Sequence, residues 1–256
     1  MLKHLTGFMC CAVVLAGAAG CGDRAEPDDA VSDSVALPDS AQPSPDWLDG
    51  DAIGDEPLMF AVLAGHWTVR EDEGGRVLRV DGSEWVVGTE PARLDDKAAV
   101  LFSSTPEAFA GRVRQGLKFP YGVVPSAGEF SDGDMQVDFR LVGGESDQYA
   151  SLLFGLGADA NHYAFRYNTK DGDTAVWRVI DGERERVHHG GVHVEVPLGE
   201  WRTLRLRIDG TELTGWVDDL QTLTYTLPGP IRGRVGLWSK ADSITDYRRF
   251  SATARQ

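Results

Sequence analysis

Between Leu58 and the C-terminus, apolar and polar residues alternate with a period of two, and this alternation constrains the fold more than any other feature of the chain. Met135, Val137, Phe139 and Leu141 alternate with Gln136, Asp138 and Arg140. Tyr163, Phe165 and Tyr167 alternate with Ala164, Arg166 and Asn168, and Leu204, Leu206 and Ile208 with Arg205 and Arg207. Successive side chains of an extended strand point to opposite faces, so each run predicts a strand with one buried face. Asp-Gly pairs begin at Asp81, Asp132, Asp171, Asp181 and Asp209, where they suit the positive backbone angles of tight turns. Two of them flank the strand around Trp177. The stretch Glu107 to Gln115 is expected to hold one helical turn at most. Short strands at this spacing, with no second break in composition, predict one all-β domain over residues 58–256, an antiparallel sandwich or barrel.

Residues 1–20 have a different character. Lys3 and His4 precede a mainly apolar run from Leu5 to Ala19, which closes on the small residues Ala18, Ala19 and Gly20. That order is the one an export signal requires, and the run falls short of the about 20 apolar residues of a comfortable membrane span. Ala18-Ala19-Gly20-Cys21 resembles the lipobox of bacterial lipoproteins, with Ala18 where leucine is usual. The resemblance implies cleavage before Cys21 and lipidation of that cysteine. Gly22 stands where an aspartate would signal inner-membrane retention, so outer-membrane anchoring is expected, with the lipid as the only membrane contact. Cys10 and Cys11 leave with the signal, so the folded part forms no disulfide and must rely on its core.

Residues 21–57 read as a disordered acidic tether rich in Asp, Pro, Ser and Ala, with Arg24 its only basic residue. Partner binding by Trp47 and Leu48 is the alternative reading of this segment. Much of the formal charge of -15 lies here. Arg202, Arg205 and Arg207 alternate with apolar residues as a solvated strand face does, and no basic stripe suited to phosphates is present, so nucleic acid is not an expected partner.

Phe130-Ser131-Asp132-Gly133-Asp134, Asp147-Gln148, Asn161-His162-Tyr163 with Arg166 and Asn168, Gly199-Glu200-Trp201, and Gly236-Leu237-Trp238-Ser239-Lys240-Ala241-Asp242-Ser243 follow one another in an order that resembles the concanavalin A-like lectin/glucanase superfamily. The resemblance covers most of residues 60–255, and Val235 to Ser243 is its most distinctive string. Similar groups are the 3-keto-disaccharide hydrolase-like domains of unknown function and the laminin G-like modules. It implies a jelly-roll sandwich of two antiparallel sheets. Function is left open, because this fold hosts lectins, hydrolases, lyases and adhesion modules.

Glucanases of this fold carry Glu-x-Asp-x-x-Glu along one strand, since a nucleophile and an acid must flank one glycosidic bond at about 5 Å. No such string occurs here. Asp134 and Asp138 share a strand face, but opposite the core, where solvated charge is the simpler reading. His188, His189 and His193 suit zinc or copper by type, yet His189 and His193 would lie about 13 Å apart along an extended strand. Gly190-Gly191 could fold the chain back between them, or form a mobile hairpin tip. Structural calcium would draw on Asp171 and Asp173, which serve equally as turn formers. No Gly-x-Ser-x-Gly elbow or phosphate-cradling glycine loop is present. No catalytic residue, metal ligand or cofactor is assigned.

With Tyr163, Phe165 and Tyr167 turned to the core, the opposite face carries Arg166 and Asn168. By resemblance these stand beside the Asp-Gln element at Gln148, with Trp238, Lys240 and Asp242 as neighbours. Planar hydrogen-bonding groups beside an aromatic ring suit a pyranose, so an oligosaccharide or polysaccharide is the expected ligand. The same six residues could instead tie sheet edges together, as buried polar groups must be paired with or without a ligand. The expected role is a non-catalytic carbohydrate-binding module. A glycoside-processing enzyme and a structural or protein-binding envelope module stand as alternatives.

Overall fold

The computed structural model describes residues 47–255. The expected signal peptide (1–20), the lipidation site Cys21 and the tether as far as residue 46 lie outside the described residues. Two seven-stranded antiparallel sheets pack face to face. Sheet A runs in the order β1 (Ala61–Ala64), β4 (Tyr121–Val123), β13 (Arg234–Trp238), β6 (Tyr149–Leu156), β7 (His162–Asn168), β8 (Asp173–Ile180) and β9 (Glu183–His189). Sheet B runs β12 (Leu220–Thr226), β11 (Glu212–Val217), β10 (Trp201–Asp209), β5 (Gly133–Gly143), β14 (Ile244–Ala254), β3 (Gly75–Asp81) and β2 (Trp67–Asp72).

The period-two stripes build the space between the sheets. Met135, Val137, Phe139 and Leu141 of β5 meet Phe165 and Tyr167 of β7, and Leu204, Leu206 and Ile208 of β10 extend the same cluster. Each such side chain contributes roughly 1.5–3 kcal/mol by leaving water. The alternation also fixes register, because a slip of one residue would turn every stripe outward. At Asp181-Gly182 both residues take positive φ, 50° and 75°, and close the two-residue hairpin between β8 and β9.

Two departures from expectation shape the surface. The first is helical. α1 (Leu94–Leu101) and α2 (Pro106–Gln115) replace the single turn expected near Glu107. Leu94, Ala98 and Leu101 line one face of α1, and Phe109, Ala110 and Val113 one face of α2. Both faces pack on the outer side of sheet A, against Leu63, Tyr121, Val123, Leu153 and Trp238, in a second apolar cluster. Pro106 fits the first turn of α2, where its missing N–H costs nothing.

The second departure concerns the N-terminal boundary. Packed structure reaches back to Trp47 rather than beginning at residue 58. Leu48 is fully buried, and the Trp47 ring lies 6.1 Å from Phe60 and 6.0 Å from Phe250. Asp51 accepts the backbone N–H of Leu58 at 2.9 Å, which pins the intervening loop. Two large apolar side chains in a polar segment supply what the rest of the tether lacks.

Charge is buried in sheet B as well. Asp246 on β14 is wholly buried and accepts from Arg79 on β3 at 2.7 Å and from Arg140 on β5 at 2.7 Å. One carboxylate thus ties three adjacent strands. The hydrogen bond to Asp246 leads the causes that raise Arg79 above its usual pKa, against the opposing effect of burial.

Candidate functional site

The helices pack on the outer side of sheet A over β1, β4, β13 and β6, and the same apolar cluster extends onto Ala164 of β7 and the half-buried Trp177 of β8, with β9 at the sheet edge. Register aligns the outward residues of β7, β8 and β9. Arg166 faces Ala175 and then His189, Ala164 faces Trp177 and then Arg186, and His162 faces Val179 and then Arg184.

The six residues expected to bind ligand gather around Tyr149. Arg166 is buried with its guanidinium 5.2 Å from the centre of the Tyr149 ring, and Lys240 Nζ lies 5.6 Å from the same centre. Trp238, also buried, sits 6.0 Å from Tyr149. Most of their polar atoms are engaged within the protein. Arg166 donates to Asp173 at 2.5 Å and to Asp171 at 3.0 Å, and Lys240 pairs with Asp147 at 2.7 Å. Asn168 Oδ1 accepts from the backbone of Gln148 and Lys170, and its amide donates to Asp171 at 2.9 Å. The Gln148 amide donates to the Gly144 carbonyl at 2.9 Å. Asp242 accepts the backbone N–H groups of Glu145, Ser146 and Asp147 at 2.7, 3.0 and 3.1 Å. Burial opposes its ionisation, but these amides together hold its carboxyl below the ordinary carboxylate range. Arg166 Nε and Trp238 Nε1 are left as buried donors without an acceptor, as is the hydroxyl of Ser151, cross-strand neighbour of Arg166.

A neighbouring constellation was not anticipated from sequence. Trp177 is half-buried on β8, and the Arg184 guanidinium lies 4.1 Å from the centre of its ring, with Arg186 at 5.9 Å. Arg184 also lies 5.5 Å from the Phe119 ring. Trp177 Nε1 and one terminal nitrogen of Arg184 are buried without a partner. The signal was present in the Asp181-Gly182 hairpin, since a two-residue turn brings alternate residues of β8 and β9 to one face.

The remaining candidates separate. His189 pairs with Asp173, His188 stacks on Tyr225 at 5.0 Å, and His193 packs at Gly172. Among the described residues no three His, Cys, Asp or Glu side chains form a cluster able to hold a metal ion. Asp171 and Asp173 bracket Arg166. Asp138, read as solvated, is buried instead and pairs with Arg249 and Thr203, while Asp134 pairs with Arg207 at 2.8 Å. The arginines of β10 differ among themselves. Arg202 pairs with Glu200, and Arg205 lies 4.5 Å from the Trp216 ring centre.

At the other end of β7 and β8 a cavity of about 20 Å³ lies between the end of α2 and the hairpin, lined by Tyr121, His162, Asp181 and Gly182. His162 stacks on Tyr121 at 5.0 Å, with Nδ1 3.0 Å from the Ala160 carbonyl and Nε2 unpartnered. Burial lowers its pKa to about 4, against the smaller opposing effect of the Ala160 carbonyl. A groove of about 340 Å³ lies at the opposite edge of sheet A, between α1 and residues 56–61, with Leu58 and Val100 exposed.

No protein-family model matches the sequence, and no curated protein matches it. Solved structures do. The carbohydrate-binding module CBM66 from Bacillus subtilis is 14% identical with a TM-score of 0.51, over 74% of this chain and 91% of that one. A β-glucanase from Bacillus licheniformis is 12% identical, over 73% and 82% of the two chains, with a TM-score of 0.43. The Caenorhabditis elegans galectin LEC-6 is 14% identical, over 48% and 85%, with a TM-score of 0.32. The fold is a concanavalin A-like jelly-roll sandwich, as the sequence resemblance implied.

Proposed function

We propose that this protein is an exported, lipid-anchored receptor that binds carbohydrate without cleaving it, on the outer strip of sheet A around Trp177. The observation that carries the reading is the half-buried indole at the margin of the outer apolar cluster, flanked by planar guanidinium groups and holding an unpartnered Nε1 donor. The C–H groups of a pyranose suit the apolar surface such a ring leaves exposed, while its hydroxyls take up neighbouring donors. The likeness of the fold to a carbohydrate-binding module supports the same reading. The Tyr149, Arg166 and Lys240 stack would form the adjoining wall.

The way the carboxylates of this face are held supports binding without cleavage. Asp147 pairs with Lys240, and Asp171 and Asp173 with Arg166. A glycosidase needs two carboxyl groups flanking one glycosidic bond, whereas each of these is already engaged with a cation of the protein.

Titration of the full chain in detergent with neutral and acidic oligosaccharides, with product analysis of the same samples, tests this reading. Saturable binding without products, lost in Trp177→Ala, is the expected result. Products, or no binding across the panel, would overturn it. Anchoring is tested separately by fatty-acid labelling, expected for the native chain and absent in Cys21→Ser.

A further inference from the structure

We infer that the Trp177 site takes an anionic sugar, its carboxylate or sulfate group held between Arg184 and Arg186. This rests on the carbohydrate reading above and specifies the ligand class. Neither arginine makes an ion pair among the described residues, although the chain has 40 acidic residues against 25 basic ones. The acids of the same hairpin are committed elsewhere. Asp181 pairs with Arg112 at 3.4 Å, Glu183 with Lys118, and Glu185 with Arg178 at 2.6 Å. Two guanidinium groups on one ring are thus left with no counter-charge.

The other cation-flanked indoles differ. Trp201 lies beneath Arg140 and Arg248, which pair with Asp246 and Asp138. Trp216 contacts Arg205 and Arg207, and Arg207 is held by Asp134. At Trp177 alone among these three, both cations lack a carboxylate. The Arg184 side chain is also fixed between the Trp177 and Phe119 rings, so less rotamer freedom is lost when it meets an anion. Guanidinium matches carboxylate and sulfate oxygens through paired N–H donors, and the half-exposed indole beside it adds apolar surface for the C–H groups of a sugar.

Calorimetric titration of the full chain with an oligogalacturonate, a sulfated galactan oligosaccharide and a neutral galactan oligosaccharide of equal length tests the inference. An acidic ligand is expected to bind at least about tenfold tighter than the neutral one, and Arg186→Gln and Arg184→Gln each to remove about tenfold of that affinity. The preferred acidic ligand distinguishes carboxylate from sulfate. Rising salt should weaken acidic binding and leave neutral binding unchanged. Arg186 is exposed, so its variant keeps the fold, and near-UV circular dichroism checks Arg184→Gln. Neutral binding as tight as acidic, unaffected by either variant but lost in Trp177→Ala, would overturn the anionic preference and leave the carbohydrate reading standing. No binding of any of the three would overturn both.

Discussion

Both carboxylate oxygens of Asp242 lie within 3.1 Å of the backbone nitrogen of Ser146, so a residue just after β13 holds the turn between β5 and β6. Asp242→Ala should therefore loosen residues 144–148 and cost about 1–2 kcal/mol, at the modest end for charge-assisted bonds because the site is partly exposed. Urea unfolding measures the loss. The folded-state pKa of Asp242 is depressed, so its contribution is fully present above the ordinary carboxylate range and is lost as pH falls through the lower folded value. Asp242→Asn should flatten that acid limb.

Asp246→Ala should be far more costly. It would leave Arg79 and Arg140 without their shared acceptor, and removing one partner from a buried ion pair costs about 3–5 kcal/mol. The midpoint of chemical unfolding should fall accordingly. A drop of less than about 1 kcal/mol would show that water already satisfies these arginines.

His162 predicts a second pH dependence, of separate origin. Its folded pKa of about 4 lies below the ordinary 6.5, so between those values the unfolded chain binds a proton that the folded chain does not. Stability should fall on acidification from pH 6.5 to 4, by roughly 3 kcal/mol. His162→Gln should remove that slope while leaving the one due to Asp242.

Gly236 permits close approach of β13 and β4. A Cβ there would lie 2.1 Å from the Gly122 carbonyl oxygen and 2.6 Å from Val123 Cα, both backbone atoms. Gly236→Ala should force the strands apart and cost about 1–3 kcal/mol, visible as a lower melting temperature.

This geometry accounts for what was readable in the sequence. The Val235 to Ser243 string was its most distinctive motif, and the structure supplies reasons. Gly236 fits against β4, Trp238 fills the outer cluster, Ser243 accepts the Tyr149 amide, and Asp242 holds the adjacent turn. The stripes of β5, β7 and β10 were legible because one face of each is buried and the period is short. The helices were not, since the apolar face of α1 amounts to Leu94, Ala98 and Leu101 and becomes meaningful only against sheet A. Tertiary packing, rather than local propensity, stabilises such short helices. At the site, Arg166 and Asn168 were placed on the outer face as expected. Trp177 was legible as the centre of a strand between two Asp-Gly turns but not as a ring between unpaired arginines, because Lys118, Arg112 and Arg178 occupy the nearby acids. That depends on pairings across distant parts of the chain.

The packing of Trp47 against Phe250 has a mechanical consequence. A pull entering through the backbone ahead of Trp47 first meets an indole seated on β14, and that strand is hydrogen-bonded to β3 on one side and β5 on the other. That seat must be broken before tension reaches β1, the edge strand of sheet A that follows in the chain, so the Trp47 contact guards the strand most easily peeled away.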